Sequence, residues 1–202
     1  MKTVLLATNN ENKVNEIKDI LCELNLKVIS LKEAGINIEV EEDELTFMGN
    51  ALKKALTIHN VLKNKEYMVL ADDSGLSVDV LGGAPGVFSA RYAGEHGNSK
   101  ANNKKLLKEM EGLKNRRAKF ICAMALVVDK DNIIKVQGEI EGSIGYQEKG
   151  NNGFGYDPLF FIPKYNMTFA EMDKELKNSI SHRRDALNKL KEKLKDYTIY
   201  SE

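Results

Sequence analysis

The first 24 residues place a short apolar run ahead of a helical pattern, with a polar loop between them. Residues 3–7 form the apolar run, which stops at the polar segment 8–12. Apolar residues then recur at helical spacing, at Val14, Ile17, Leu21 and Leu24. This order predicts a strand, a loop and a helix.

The rest of the chain mixes strands and helices in an irregular order. Apolar runs predict strands at 26–31, 68–71 and 76–81, and paired strands at 119–128 and 133–140 around a turn at Asp131-Asn132. Helical spacing predicts helices at 46–62, at 99–110 and from Glu171 onward. Glycines predict turns at 82–86 and a long loop or a distorted hairpin at 142–157. The pattern favours a mixed α/β fold, and without repeats or linkers we treat residues 1–202 as one domain.

Charge, hydropathy and cysteine content argue against several classes of protein. Thirty Lys and Arg residues balance thirty Asp and Glu residues, which argues against a protein that coats a nucleic-acid polymer or an anionic membrane. The longest apolar run, 120–128, is about half the length of a membrane span. Cys22 and Cys122 stand far apart among apolar neighbours, so we expect no disulfide framework and a cytosolic protein.

Two polar segments could bind a phosphate and a metal. Residues 8–13 stand between a predicted strand and a helix, where the helix N-terminus and Lys13 favour an anion; a plain turn with a helix cap is the alternative. Asp72-Asp73-Ser74-Gly75 follows an apolar run, and adjacent carboxylates there suit Mg²⁺. The alternative is an ordinary turn. The acidic run 39–44 could join this site or be a solvated face.

Two further segments could recognise a flat ring. Phe154 stands between two glycines in a loop, where its ring could stack on a base and Asp157 could accept from base N–H groups. The alternative is a hairpin turn with a buried Phe. Residues 177–184 bring hydrogen-bond donors to the start of a helix, although His182 could equally serve the structure. Together the segments supply the parts of a nucleoside triphosphate site.

Six segments, in order along almost the whole chain, resemble the successive signatures of the inosine triphosphate pyrophosphatase family. They are residues 8–13, 46–55, 71–76, 85–92, 154–158 and 181–183. The resemblance implies a two-lobed α/β fold with a mixed sheet, flanking helices and a central substrate cleft, assembled as a homodimer. It also implies Mg²⁺-dependent hydrolysis of ITP, XTP and dITP to the monophosphate and pyrophosphate, which removes damaged purines from the nucleotide pool.

The resemblance assigns roles to single residues. Asp73 would be the catalytic base and a metal ligand, with Glu41 as the second ligand; Glu39, Glu42 and Glu44 offer other registers. The triphosphate would contact Thr8, Asn9, Asn10, Glu11, Asn12, Lys13 and Lys54. Ser74 would touch the substrate, and the base would be surrounded by Phe154, Gly155, Tyr156, Asp157, Lys177, His182 and Arg183.

Two other functions use some of the same residues. A phosphomonoesterase or phosphotransferase could use Asp72 or Asp73 as a covalent nucleophile, but it leaves Phe154 and His182-Arg183 without a role. A nucleotide sensor or single-strand-binding module could use the ring and the cations, but it does not need clustered carboxylates. Pyrophosphate, orthophosphate or no product would distinguish the three.

Overall fold

The computed structural model describes residues 3–21, 26–62 and 67–199. Cys22, which stands among apolar neighbours in the sequence, and Leu24, predicted to lie on a helix face, are outside these residues. Cys122 is a buried free thiol. Among the described residues, no helix is both long and apolar enough to cross a membrane.

The described part of the chain contains seven strands and five α-helices. The strands are β1 (Thr3–Leu6), β2 (Val28–Ser30), β3 (Tyr67–Val78), β4 (Arg117–Val127), β5 (Ile133–Ile144), β6 (Phe160–Ile162) and β7 (Met167–Thr168). The α-helices are α1 (Glu11–Leu21), α2 (Phe47–Val61), α3 (Ser99–Glu109), α4 (Lys174–Ile180) and α5 (His182–Ile199). Short 3₁₀ helices occur at Asp79–Leu81, Gly86–Arg91 and Pro163–Tyr165.

The strands form one mixed sheet in the order β2-β1-β3-β4-β5-β6-β7. Strand β1 pairs in parallel with both β2 and β3. Strand β6 pairs antiparallel with β5 and β7. Parallel strands need crossover connections, and helices α1 and α2 supply them here. The mixed α/β fold expected from the sequence is confirmed.

The chain divides into two compact units, and the first contains Met1–Asp73, Cys122–Gly138 and Arg183–Glu202. Its sheet residues alternate between two apolar clusters, as the two-residue period of a strand requires. Val4, Leu6 and Leu70 pack in one cluster with residues of α1 and α5. Leu5, Val69 and Ala71 pack in the other cluster with residues of α2. Helices therefore cover both faces of these strands, which explains why β1 is a continuous apolar run.

The second unit contains Ser74–Ile121 and Glu139–His182. Three phenylalanine rings lie at its centre: the ring centroid of Phe160 is 4.5 Å from that of Phe120 and 5.2 Å from that of Phe169. Leu76 of β3 and Leu106 of α3 belong to the same cluster. Such aromatic pairs add to the stability that burial of apolar area provides.

Two boundaries predicted from the sequence are wrong. Residues 72–75 do not end a strand, because β3 runs without interruption from Tyr67 to Val78. The Asp-Asp-Ser-Gly sequence looks like a turn, but charged partners compensate the burial of Asp72 and the backbone stays extended. The predicted C-terminal helix is two helices: α4 begins after its N-cap, Asp173, and Ser181 is extended between α4 and α5.

Candidate active site

The predicted phosphate loop, residues 8–13, leads from β1 into α1. Asn10 Oδ1 accepts hydrogen bonds from the backbone N–H groups of Asn12 and Lys13, at 3.0 and 3.2 Å, and so caps the helix. Asn9 Nδ2 donates to the carbonyl of Ile38 at 3.3 Å. Asn10 therefore caps α1, and the positive end of the α1 dipole lies at this loop, where it favours anions.

A pocket of about 430 Å³ in the first unit opens beside this loop. Thr8, Asn9 and Glu11 line it together with Lys32 and residues 35–37. The loop is thus accessible to a small ligand, and Asn9, Glu11 and Asn12 are exposed.

Lys13 and Asp72 form an ion pair in the first unit. Lys13 Nζ lies 3.1 Å from Asp72 Oδ2, and Arg183 Nη2 lies 3.6 Å from the same oxygen. Burial and Arg183 oppose the charge of Lys13, but the carboxylates of Asp72, Asp73 and Glu42 together outweigh them, and the pKa of Lys13 is raised. Burial likewise opposes the charge of Asp72, but Lys13 and Arg183 hold its pKa well below the usual range. Asp72 therefore stays ionised.

Asp73, the next residue of β3, has different neighbours. Its Oδ2 accepts a hydrogen bond from Asn50 Nδ2 of α2 at 2.9 Å, and only 4% of the residue is exposed. Burial raises the pKa of Asp73 above that of an ordinary aspartate, although the charges of Lys54 and Lys13 oppose the shift. A carboxylate with a raised pKa is a better proton acceptor than an exposed one.

The acidic run 39–44 meets α2. Glu42 forms an ion pair with Lys54, and Asp43 forms one with Lys53. Burial would raise the pKa of Glu42, but Lys54 lowers it below its usual value. The negative charge of Glu42 also contributes to raising the pKa of Asp73. The charge of the exposed Glu41 instead contributes to raising the pKa of Lys53. Glu42 is thus electrostatically coupled to Asp73.

The carboxylates of Glu42 and Asp73 are the donor set available for a cation here. Among the described side chains, no group of three or more His, Cys, Asp or Glu residues could hold a metal ion. Mg²⁺ commonly takes one or two protein carboxylates and completes its shell with water and substrate phosphates. The residues present fit Mg²⁺ in that form, together with a phosphate ligand.

Arg183 lies deep in the first unit. It is 1% exposed and forms ion pairs with Glu16 of α1 and with Asp72. The desolvation of Arg183 would lower its pKa, but the charges of Glu16 and Asp72 raise it. Glu16 was not among the residues predicted from the sequence, although an acid at a buried helical position beside Ile17 and Ile20 was a signal for such a partner.

The loop with the predicted stacking ring lies in the second unit and is held by Asp157. Asp157 Oδ2 accepts from the backbone N–H of Phe154 at 2.8 Å and from Lys177 Nζ at 2.7 Å. Lys177 Nζ lies 4.8 Å from the centroid of the half-buried Phe154 ring. Gly153 has φ of 74°, and a Cβ atom there would lie 2.1 Å from Asp157 Oδ2. The tight loop therefore requires this glycine.

The neighbouring Gly155 and Tyr156 are held from segment 85–92 and from α3. Tyr156 Oη donates to the carbonyl of Ser89 at 2.9 Å, and Asn103 Nδ2 donates to the carbonyl of Gly155 at 3.2 Å. Ser89 Oγ also accepts from the backbone N–H of Leu76 at 2.9 Å. Ser89 thus links β3, just beyond the half-buried Ser74, to the Phe154 loop.

His182 is buried in the second unit against Phe120. The two ring centroids are 4.9 Å apart with an interplanar angle of 16°, so the rings are stacked. This contact supports a structural role for the imidazole. The residues that sequence reasoning missed in or beside the site are Glu16, Asn50, Ser89 and Asn103.

Comparisons with known proteins give the family. The chain is 87% identical to the dITP/XTP pyrophosphatase of Clostridium tetani over 197 residues, covering 98% of each chain. It is 46% identical to the dITP/XTP pyrophosphatase of Bacillus subtilis over 192 residues, covering 94% of this chain and 96% of the relative.

Two solved structures resemble the whole fold. The Staphylococcus aureus Ham1 protein has a TM-score of 0.86 and 39% identity, covering 97% of this chain and 100% of its own. The nucleoside-triphosphatase / dITP/XTP pyrophosphatase of Mycobacterium abscessus has a TM-score of 0.75 and 38% identity, covering 93% and 98%. Residues 4–193 match the model of the Ham1 family, which confirms the family resemblance found in the motifs. The chain is a member of the Ham1 family.

Proposed function

We propose that this chain is a nucleoside triphosphate pyrophosphatase that hydrolyses dITP, XTP and ITP to the nucleoside monophosphate and pyrophosphate. The observation that carries the proposal is the setting of Asp73: a buried carboxylate of raised pKa, hydrogen-bonded to Asn50 and surrounded by Lys13, Lys54 and Glu42. A base, phosphate-binding cations and a second carboxylate are the groups that this hydrolysis needs. The names of the relatives at 87% and 46% identity support the same activity.

The triphosphate would bind at the N-terminus of α1. Lys13 and Lys54 would supply positive charge for the phosphates. The loop 8–12 would supply polar groups for them beside the pocket of about 430 Å³. In the structure, Lys13 pairs with Asp72 and Lys54 with Glu42. Both lysines are therefore held near the carboxylates before the substrate arrives, which lowers the cost of ordering them on binding.

Mg²⁺ would be held by Asp73 and an acid of the run 39–44. We favour Glu42, because it is half-buried and coupled to Asp73, whereas Glu41 is exposed and acts on Lys53. The family resemblance implies Glu41 instead, and substituting each acid by glutamine separates the two assignments. When bound, the cation neutralises charge on the phosphates and makes water more acidic.

Residues of the chain then accept the proton of the attacking water and stabilise the negative charge of the leaving pyrophosphate. Asp73 accepts a proton from the water whose oxygen attacks the phosphorus, and the new P–O bond replaces the bond to the departing pyrophosphate. Lys13 and Lys54 stabilise the negative charge that develops on this leaving group. Asn50 donates a hydrogen bond to Asp73 Oδ2 at 2.9 Å, which holds the carboxylate in place for this step.

The base would stack on Phe154. Lys177, 4.8 Å from the ring centroid, can donate to the oxygen that hypoxanthine and xanthine carry at position 6. Adenine carries an amino group at position 6, so the Lys177 ammonium group would face another hydrogen-bond donor. ATP should therefore be a poor substrate. Contacts from Ser74, Gly155, Tyr156, Asp157, His182 and Arg183 to the substrate stay predictions, as do the single domain and the homodimer.

A product assay tests this function. The protein is incubated with dITP, XTP or ATP and Mg²⁺, and the products are separated by ion-exchange chromatography. We expect monophosphate and pyrophosphate from dITP and XTP and almost no turnover of ATP. Release of orthophosphate would instead indicate a phosphomonoesterase or phosphotransferase, and binding without turnover would indicate a nucleotide sensor.

A further inference from the structure

Asn50 is a completely buried polar residue in the first half of α2, with 0% of its surface exposed. Its side-chain amide joins two segments that are distant in the sequence. Asn50 Nδ2 donates to Asp73 Oδ2 of β3 at 2.9 Å, and Asn50 Oδ1 accepts from the backbone N–H of Glu44 at 3.0 Å. Both distances are those of good hydrogen bonds.

The polarity of the two partners leaves one orientation for the amide. The Glu44 N–H can only donate, so it must face the carbonyl oxygen of Asn50. The amide NH₂ group must then face Asp73, whose ionised carboxylate can only accept. If the amide were flipped, Asn50 Oδ1 would face the Asp73 carboxylate, acceptor against acceptor. The Asn50 NH₂ group would face the Glu44 N–H, donor against donor. The bond to Glu44 therefore directs a donor at Asp73.

The same helix holds the acidic run at two other points. Lys53 pairs with Asp43, and Lys54 pairs with Glu42. Residues 42, 43 and 44 are thus bound in succession by three residues of α2, and Asn50 also reaches Asp73. The relative position of Glu42 and Asp73 depends on this arrangement.

We propose that Asn50 is a positioning residue for nucleotide hydrolysis, which holds the Asp73 carboxylate and the Glu42–Glu44 segment in one fixed geometry. This inference rests on the proposed function and deepens it. Asn50 does not itself take a proton or bind the substrate. It acts by occupying one oxygen of Asp73 and by fixing the backbone that carries Glu42.

Two substitutions separate the two hydrogen bonds. Asn50→Asp has the same shape and keeps an acceptor for the Glu44 N–H, but it sets a carboxylate against Asp73. Asn50→Ala removes both hydrogen bonds without adding a charge. Because loss of a residue that orients an active carboxylate commonly costs 10- to 100-fold in activity, we expect kcat for dITP to fall by about that factor in both variants, with little change in KM. Asn60→Asp, at an exposed position of the same helix, is the matched control and should keep the wild-type rate.

Hydrogen exchange gives a readout that does not depend on activity. The Glu44 amide should exchange at least about 10-fold faster in Asn50→Ala, because its acceptor is gone, and should stay protected in Asn50→Asp. The double variant Asn50→Asp with Asp73→Asn restores a donor facing an acceptor, so its Tm should return toward the wild-type value while turnover stays absent.

The outcomes are distinct. Folded Asn50→Asp with wild-type kcat, or folded Asn50→Ala with unchanged exchange at Glu44, would overturn the inference. If both single variants fail to fold, folding of the double variant supports the pairing, and its failure to fold contradicts it. If the wild-type protein hydrolyses no nucleotide, the proposed function fails, whereas the exchange and Tm measurements still report on the role of Asn50 in holding the two segments.

Discussion

Lys13 and Asp72 form an ion pair, with 3.1 Å between Nζ and Oδ2, and this pair separates the roles of two adjacent aspartates. Successive side chains of a strand point to opposite faces, so Asp72 meets Lys13 and Arg183 while Asp73 meets Asn50. The pKa of Asp72 is lowered and the pKa of Asp73 is raised. Environments that move the pKa values of neighbouring acids apart are typical of sites that need both a fixed charge and a proton acceptor.

Asp72→Asn should destabilise the fold. The change leaves Lys13 and Arg183 buried with one carboxylate fewer, and breaking a buried ion pair costs about 3–5 kcal/mol. Urea unfolding at neutral pH measures the loss, with the exposed Asp131→Asn as the control. Because the folded-state pKa of Asp72 is depressed, the difference should be present above the unfolded-state pKa and should disappear as the pH falls through the folded-state value. Equal stability of the two variants at neutral pH would contradict a structural role for Asp72.

Lys13→Ala should weaken the binding of a triphosphate more than that of a monophosphate. The lost charge-assisted contact is expected to cost about 1.5–3 kcal/mol for dITP. Calorimetry on an Asp73→Asn background, which prevents turnover, gives both affinities. A similar loss of affinity for dITP and dIMP would contradict a contact between Lys13 and the triphosphate.

Glu42→Gln and Glu41→Gln distinguish the two candidate metal ligands. We expect Glu42→Gln to lower kcat about 10- to 100-fold and to raise the Mg²⁺ concentration needed for half-maximal rate. Glu41→Gln, at an exposed position, should change both values little. The reverse result would restore the register implied by the family resemblance.

Gly153→Ala should impair the loop that carries Phe154. The new Cβ would meet Asp157 Oδ2 at 2.1 Å, so the loop must move away from Lys177. Gly155→Ala is the comparison, because Gly155 also has positive φ, 61°, but a Cβ there meets no atom within 4 Å. We expect a larger fall in kcat/KM for Gly153→Ala, similar for dITP and XTP. Equal effects would show that backbone strain, rather than the Asp157 contact, limits this loop.

Local signals in the sequence were enough for much of the fold. The α1 and α2 helices follow from apolar spacing, and Thr46 Oγ1 caps the start of α2 by accepting from the Gly49 N–H at 3.0 Å. Strand β3 was predicted as two pieces because turn preference is a local property, whereas the cations that compensate Asp72 come from α1 and α5.

The site was harder to predict than the fold, because its contacts join residues far apart in the chain. Asn50 and Asp73 are separated by 23 positions, and an Asn in a helix gives no sign of its partner. Arg183 illustrates the same limit: its motif suggested base recognition, but its ion pairs are with Glu16 and Asp72. Side-chain partners of this kind depend on the folded arrangement of α1, α5 and β3.

The rate of dITP hydrolysis by Asp73→Asn, compared with the wild-type protein in the presence of Mg²⁺, is the most direct test of the central claim. The substitution keeps the size of the side chain and an acceptor for Asn50, so the variant should fold with a Tm close to that of the wild type. We expect the wild type to release pyrophosphate from dITP and the variant to lose nearly all turnover, because the proton acceptor is gone. A folded variant that releases pyrophosphate at the wild-type rate would contradict the role of Asp73.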